Sequence, residues 1–312
     1  MQTYRMYFGE DAEFFEYDAF GSRGTAATQK EQPYLESLLS FLELDLAALE
    51  PRMRLVCEDW EKFFSTGEAV FADHALQEMG VLGAQHIYFQ LPYLRCFAHR
   101  VTGDLNPEMT KELRQLPEQL SLYQKQAQTF IKNILDIDQV GRDTQKNARQ
   151  NYSPDGLCEP GAFSFQPIRV SFEPVSADAC GAVLYPDTIR DVIDFSLRDC
   201  VARGIPVRRC RNCGRYFPLT GRVTAEYCSR PNPSGKLCRN TGAVQKWAEN
   251  RRGDLVFKEY RREYKRRFAW IRAGKISEDD FSVWSKKARE KKADCDNEKI
   301  SLEEFKTWLR NS

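Results

Sequence analysis

No stretch of this 312-residue chain approaches the roughly 18 uninterrupted apolar residues of a membrane-spanning helix, so a membrane role is not expected. Met1–Glu10 lacks a basic and then apolar leader, so export is not expected either. Histidine is scarce, with His74, His86 and His99 the full complement. HExxH, the Walker loop, GxGxxG and GxSxG are all missing, and with them the usual zinc-hydrolase, phosphate-cradling and nucleophile-elbow chemistries. The chain is therefore not expected to be an enzyme. Cysteine, by contrast, is plentiful: ten residues without a secretory leader point to a reducing cytoplasm, where thiols stay free or bind metal. A hydrophobic fraction of 42% with 12% aromatics fits a globular protein and excludes wholesale disorder.

Four of the ten cysteines cluster in sequence. Cys210 and Cys213 form a CxxC pair, Cys228 follows after 14 residues and Cys238 after 9 more. Thiolates at this spacing suit a tetrahedral Zn²⁺ cage in which one loop supplies two ligands and the returning chain the others. Gly214, directly after the second cysteine, tolerates positive φ and frees backbone N–H groups for the sulfurs. Tyr216 and Phe217 supply strand-like bulk after the turn. Chance clustering or disulfide pairing are the competing readings. Four protein thiolates leave no open coordination position for water, so such a zinc is structural rather than hydrolytic. Cys57, Cys158, Cys180, Cys200 and Cys295 have no neighbouring base and read as core or free thiols. Cys96 and His99 share a helix face but lack a third ligand and read as a packed or surface pair. Paired carboxylates such as Asp136 and Asp138 show no sign of a shared site.

The net charge of +1 conceals a strong asymmetry. Residues 203–275 carry 20 Lys/Arg against 5 Asp/Glu, and most of the acid lies in residues 1–202. A cationic block around a zinc module suggests a polyanion, DNA or RNA.

The pattern predicts an α+β chain, mostly helical. Residues 3–20 read as a β-hairpin turning at Gly9–Asp11, and Gly21 to Gln32 as a flexible connection. From Pro33 to about Asp138 the period becomes helical. Leu35, Leu38, Leu39 and Leu42 form a stripe, Pro51 opens a second helix through Phe64, and segments near 69–101 and 108–138 follow, with Pro92 and Pro107 kinking or bounding them. Residues 139–162 read as the main linker. Strands are expected at 163–173 and 180–185, then a helix over 187–203. This divides the chain into an α-rich region with a hairpin (1–150), a small α/β segment (151–203), the four-cysteine zinc-finger module (204–252) and a basic helix with a tail (253–312). In the tail, Lys275-Ile-Ser-Glu-Asp-Asp-Phe281 with Trp284 is echoed by Lys299-Ile-Ser-Leu-Glu-Glu-Phe305 with Trp308. Each copy reads as a capping box with a hydrophobic staple, starting a helix whose Phe and Trp share one face. Ile276, Phe281 and Trp284, with Ile300, Phe305 and Trp308, are expected to pack on the basic helix; a partner-binding stripe is the rival.

From about Arg203 to Arg252 the chain resembles the CGNR-type zinc finger of proteins regarded as bacterial transcription regulators. Cys210 and Cys213 match its knuckle, Phe217 its aromatic, Tyr227-Cys228-Ser229 its third ligand, and Cys238-Arg239-Asn240 its last motif. Arg239 stands where the family has Gly, Thr241 where it has Arg, Tyr227 where it has Trp, and the loop from Arg230 to Leu237 is longer. The chain as a whole also looks like a bacterial family of unknown function with this finger and a Trp-rich tail. The resemblance implies zinc and, by analogy, DNA binding. A helix beginning at Cys238 favours thiolate charge at its N-terminus, and the module looks treble-clef-like. This helix carries Arg239, Lys246, Arg251 and Arg252. A second helix, about 254–273, carries Lys258, Arg261, Arg262, Lys265, Arg266, Arg267 and Arg272, with Leu255, Phe257, Tyr260, Tyr264, Phe268 and Ile271 as its candidate buried face. Arg239, Lys246, Arg251, Arg252, Arg261, Arg262, Lys265 and Arg266 are the candidate nucleic-acid contacts. An acidic protein partner, or the acidic half of this chain, could meet them instead. The leading expectation is a transcription regulator, and the alternative is an interaction scaffold stapled by a structural zinc.

Overall fold

Tyr4, Met6 and Phe8 alternate with Arg5 and Tyr7, Glu13 and Phe15 are the buried positions of the returning strand, and the two runs pair as expected. The computed structural model describes residues 4–17, 28–103, 107–152, 161–232, 234–250 and 253–312, with backbone alone at 243, 245 and 247–250. The chain is α+β and mostly helical, and it divides into two compact units, Met1–Cys228 and Ser229–Ser312.

In the first unit β1 (Tyr4–Phe8) and β2 (Ala12–Tyr17) form the hairpin, with Met6 opposite Phe15 and Tyr7 opposite Phe14. Of the connection expected over Gly21 to Gln32, residues 21–27 lie outside the described residues, and the rest belongs to a third strand, β3 (Thr28–Pro33), on the free edge of β2. Its polar sequence suits an edge that faces water. Helix α1 (Glu36–Phe41) buries Leu35, Leu38, Leu39 and Leu42. α2 (Leu46–Thr66) starts five residues before Pro51, because Asp45 caps it by accepting from the Ala48 N–H; Pro51 lies inside the helix and does not open it. α3 (Ala69–Gln85), a 3₁₀ turn at Ile87–Phe89, α4 (Gln90–Thr102) and α5 (Pro107–Phe130) follow, and α2 packs on α3 and α5. α5 passes into a π-helical turn, Ile131–Leu135, closed by an Asp136 N–H to Ile131 O bond of 2.8 Å, and then α6 (Ile137–Val140).

The expected 139–162 linker is in part helical. α7 (Thr144–Asn151) is capped by Asp143 and tied down by the buried Asn147, whose amide donates to Ile134 O at 3.1 Å. Residues 153–160 of that stretch lie outside the described residues. Of the expected strand 163–173 only β4 (Val170–Pro174) forms. Pro167 removes a ladder donor and restricts Gln166, so Phe163 buries in the core while the Gln166 N–H donates to Asp194. β5 (Cys180–Leu184) pairs with both β4 and β1, giving an antiparallel sheet in the order β3-β2-β1-β5-β4. The central strands thus extend the N-terminal sheet. α8 (Ile189–Ala202) opens with a Thr188–Asp191 capping box, and β6 (Val207–Arg209) pairs with β7 (Tyr216–Pro218).

The second unit comprises α9 (Cys238–Asn250), α10 (Leu255–Arg272), α11 (Glu278–Asp296) and α12 (Leu302–Asn311). Phe281, Trp284, Ala288, Cys295, Phe305 and Leu309 form its core, with Val256, Tyr260, Tyr264 and Ile271 of the basic helix against them. Both tail helices begin where the repeat placed them. Ser301 and Glu304 complete their capping box, whereas Asp280 returns to the Ser277 hydroxyl and leaves the first box half made. Leu255 and Phe268, candidates for the buried face of α10, are instead 57% and 45% exposed.

Candidate metal centre and cationic helix

β6 and β7 present a tight turn, residues 210–215, at the end of their ladder. The Cys210 N–H donates to Arg215 O at 2.9 Å, and the Gly214 N–H to Cys210 O at 2.8 Å. Gly214 sits at φ 73°, the left-handed region that the sequence reading assigned to it. The chain then returns alongside. The Arg211 N–H donates to Glu226 O at 3.0 Å, and their side chains form an ion pair at the same distance.

This return brings Cys228 onto the knuckle. Its Sγ lies 3.7 Å from that of Cys213, so the two are not joined, and its N–H donates to the Cys210 sulfur at 3.4 Å. The Sγ atoms of Cys210, Cys213, Cys228 and Cys238 all lie within 4.8 Å of one another and could hold a metal ion. Cys210, Cys228 and Cys238 are buried, and Cys213 is exposed. Burial by itself would raise the Cys210 thiol. The backbone N–H groups of Cys228, Cys213 and Asn212 outweigh it and bring the thiol down to about 7, poised to ligate near neutral pH. Cys213 is held up, by burial first. Among the described residues no other group of three or more Cys, His, Asp or Glu is placed to bind a metal.

Two carboxylates that meant little in the sequence brace this knuckle. Asp136, buried beside the π-turn, accepts from the Tyr216 hydroxyl at 3.0 Å. Asp138 accepts from Arg208 at 2.9 Å, and the same guanidinium donates to the carbonyls of Val223 and Ala225, both at 3.0 Å. Arg208 thereby fixes the loop that delivers Cys228. Only the DxD spacing hinted at this, because the partners lie 70 and 80 residues away.

The expected nucleic-acid contacts divide. On α10, Arg261, Arg262, Lys265 and Arg266 are all exposed, with Arg262 paired to Glu259 and Arg266 to Glu263 at 2.6 Å. On α9, Arg239 is exposed and Lys246 half-buried, while Arg251 and Arg252 lie outside the described residues. Arg267 leaves the cationic row: it is buried against Glu263 at 3.0 Å.

Among the histidines, His86 belongs to the packing of the first unit. His86 is buried, its Nδ1 accepting from the Tyr88 N–H at 3.2 Å and its Nε2 3.0 Å from Ser37 O, a pattern only the neutral ring with Nε2–H satisfies. Burial pushes its pKa down to about 4. Beside it Glu13, fully buried on β2, is pushed up to about 8 by the same desolvation, against the pull of its hydrogen bonds from Ser37 and Gln32.

No helix among the described residues is long and apolar enough to cross a membrane. No curated protein and no solved structure matches the chain. Residues 183–311, which take in α8, the cysteine cluster, the cationic helix and the tail, match a family of unknown function (DUF6076).

Proposed function

We propose that this chain binds nucleic acid and that its cysteine cluster holds one structural zinc. The observation that carries the reading is the outer face of α10. Four exposed cations run along it, and Phe257, Tyr260 and Tyr264 line, with Arg261 and Arg289, a groove of about 420 Å³ on the same unit. Cations set among aromatic faces suit a polynucleotide strand, since guanidinium groups meet phosphates while rings meet bases. The donor set favours zinc. Tetrahedral bonds of about 2.3 Å place thiolate sulfurs about 3.8 Å apart, close to the Cys213–Cys228 separation of 3.7 Å. The resemblance to the CGNR-type finger adds DNA as the target and transcription as the setting.

A second reading is an interaction scaffold in which the metal only staples the fold. It is favoured by Arg267, through which α10 already docks within its own unit.

Elemental analysis and salt-dependent binding separate the two. One zinc per chain is expected, lost in Cys213→Ser. Binding to duplex and single-stranded oligonucleotides should weaken with salt, by about 0.9 in log K per log salt for each phosphate neutralised on duplex and about 0.7 on single strands. Arg261→Glu with Lys265→Glu should lower both affinity and slope without early melting. Zinc present but no binding at about 50 mM salt leaves the scaffold.

A further inference from the structure

We infer that a cavity of about 820 Å³ in the first unit, between the C-terminal part of α5, the end of α1 and the turn joining β6 to β7, binds a phosphorylated small molecule of nucleotide size. One wall is a helix face. Lys125, Gln128, Thr129 and Lys132 follow one another at helical spacing, so their side chains project from a common side. The facing wall carries Arg209 and Arg215. Against these four cations the cavity has one carboxylate, Glu43, already engaged by Arg215 at 3.0 Å. Lys125 and Lys132 form no ion pair among the described residues and are exposed. A cavity with that balance is built for an anion, because opposite charge there is met by several donors at once.

Its size and chemistry narrow the class. Ligand sites of ~300–1,000 Å³ enclose whole small molecules rather than a bare phosphate group. Beside the cations stands a flat surface, the Arg209 guanidinium lying 4.4 Å over the Tyr216 ring, and the Gln128 amide can donate and accept toward a base edge. The lysine wall also coincides with the passage of α5 into the π-turn, and such costly insertions concentrate at functional sites. The cavity shares no residue with the cationic face of α10.

Calorimetric titration with AMP, GMP, CMP and UMP tests it, with inorganic phosphate and the uncharged nucleosides as controls. At least one nucleotide should bind saturably, with its nucleoside and inorganic phosphate each about tenfold weaker or more. Lys125→Glu with Lys132→Glu should cost a further loss of about tenfold or more at unchanged melting temperature, since both residues are exposed. Arg261→Glu with Lys265→Glu should leave nucleotide affinity unchanged, which keeps this site distinct from any nucleic-acid surface. The inference is overturned if none of the four nucleotides binds, if inorganic phosphate binds as tightly as they do, or if the lysine reversal leaves affinity intact.

Discussion

Arg267 and Glu263 stand 3.0 Å apart on successive turns of α10, and both are buried. The guanidinium also lies 4.7 Å over the Trp284 ring and donates to the carbonyls of Leu309 and Ser312. One side chain of a strongly basic helix thus ties together three helices of its unit. Its neighbour Arg262 pairs with Glu259 on the exposed side.

These two ion pairs should differ sharply in worth. Arg267→Ala removes the buried partner of Glu263, leaving that carboxylate to Arg266 alone, and empties the site over Trp284; losing one partner of a buried pair costs up to about 3–5 kcal/mol. An exposed pair contributes about 0–1 kcal/mol, because water and salt screen it. Arg267→Ala should therefore lower the stability of the second unit severely, and Arg262→Ala hardly at all. Urea unfolding of the two variants measures this. Equal losses would mean that Arg267 is not the docking residue its contacts imply.

The Glu13–His86 pair of environments gives a pH signature. Glu13 keeps its proton in the folded state up to about 8, whereas in the unfolded chain it loses it near its ordinary value of 4.5. Its stabilising contribution is therefore full below 4.5 and is lost as pH rises to about 8. His86 runs the other way: neutral in the fold down to about 4, it costs stability as pH falls below its ordinary 6.5. Between about 4.5 and 6.5 the two slopes oppose each other, and from 6.5 to about 7, below the titration of the Cys210 thiol, Glu13 acts alone of the three. There stability should fall by about 1.4 kcal/mol per pH unit. Glu13→Gln, which keeps a neutral hydrogen-bonding group, should flatten that limb in denaturation curves taken at several pH values. An unchanged slope would assign it to another group.

What could be read from the sequence was local. The CxxC turn, the glycine after it, the helix beginning at Cys238 and both serine caps depend on residues within a few positions of each other, and each lies where its spacing placed it. What escaped was non-local or worked against local preference. β3 reads Thr-Gln-Lys-Glu-Gln-Pro and carries no apolar alternation; only its ladder with β2 makes it a strand. The Phe163–Phe172 alternation looked like one strand, but Pro167 cuts it. Asp136 and Asp138 gained meaning only when the fold set Tyr216 and Arg208 against them. The lysines of α5 carried no signal of their own in the sequence, because the knuckle turn that faces them lies about 80 residues further along the chain.

The tail repeat offers a last comparison, between a cap and the ring it positions. Ser277 accepts from the Asp280 N–H at 3.0 Å on an exposed helix start. Trp284, two turns on, is 7% exposed, packs on Tyr264 and Phe281, and donates its indole N–H to the Ser312 hydroxyl at 3.0 Å. Losing a serine cap costs about 1 kcal/mol, because one backbone donor reverts to water. Truncating a buried tryptophan costs about 3–5 kcal/mol, since it empties a cavity among Tyr264, Phe281 and Arg267. Trp284→Ala should thus melt well below Ser277→Ala, with Trp308→Ala between them because that ring is only half-buried. Thermal melts of the three single variants check the order. A near-neutral Trp284→Ala would instead mark the Phe–Trp face as a surface held for a partner, and the packing of α10 against the tail would have to rest on Arg267 and the Tyr264–Phe281 contact.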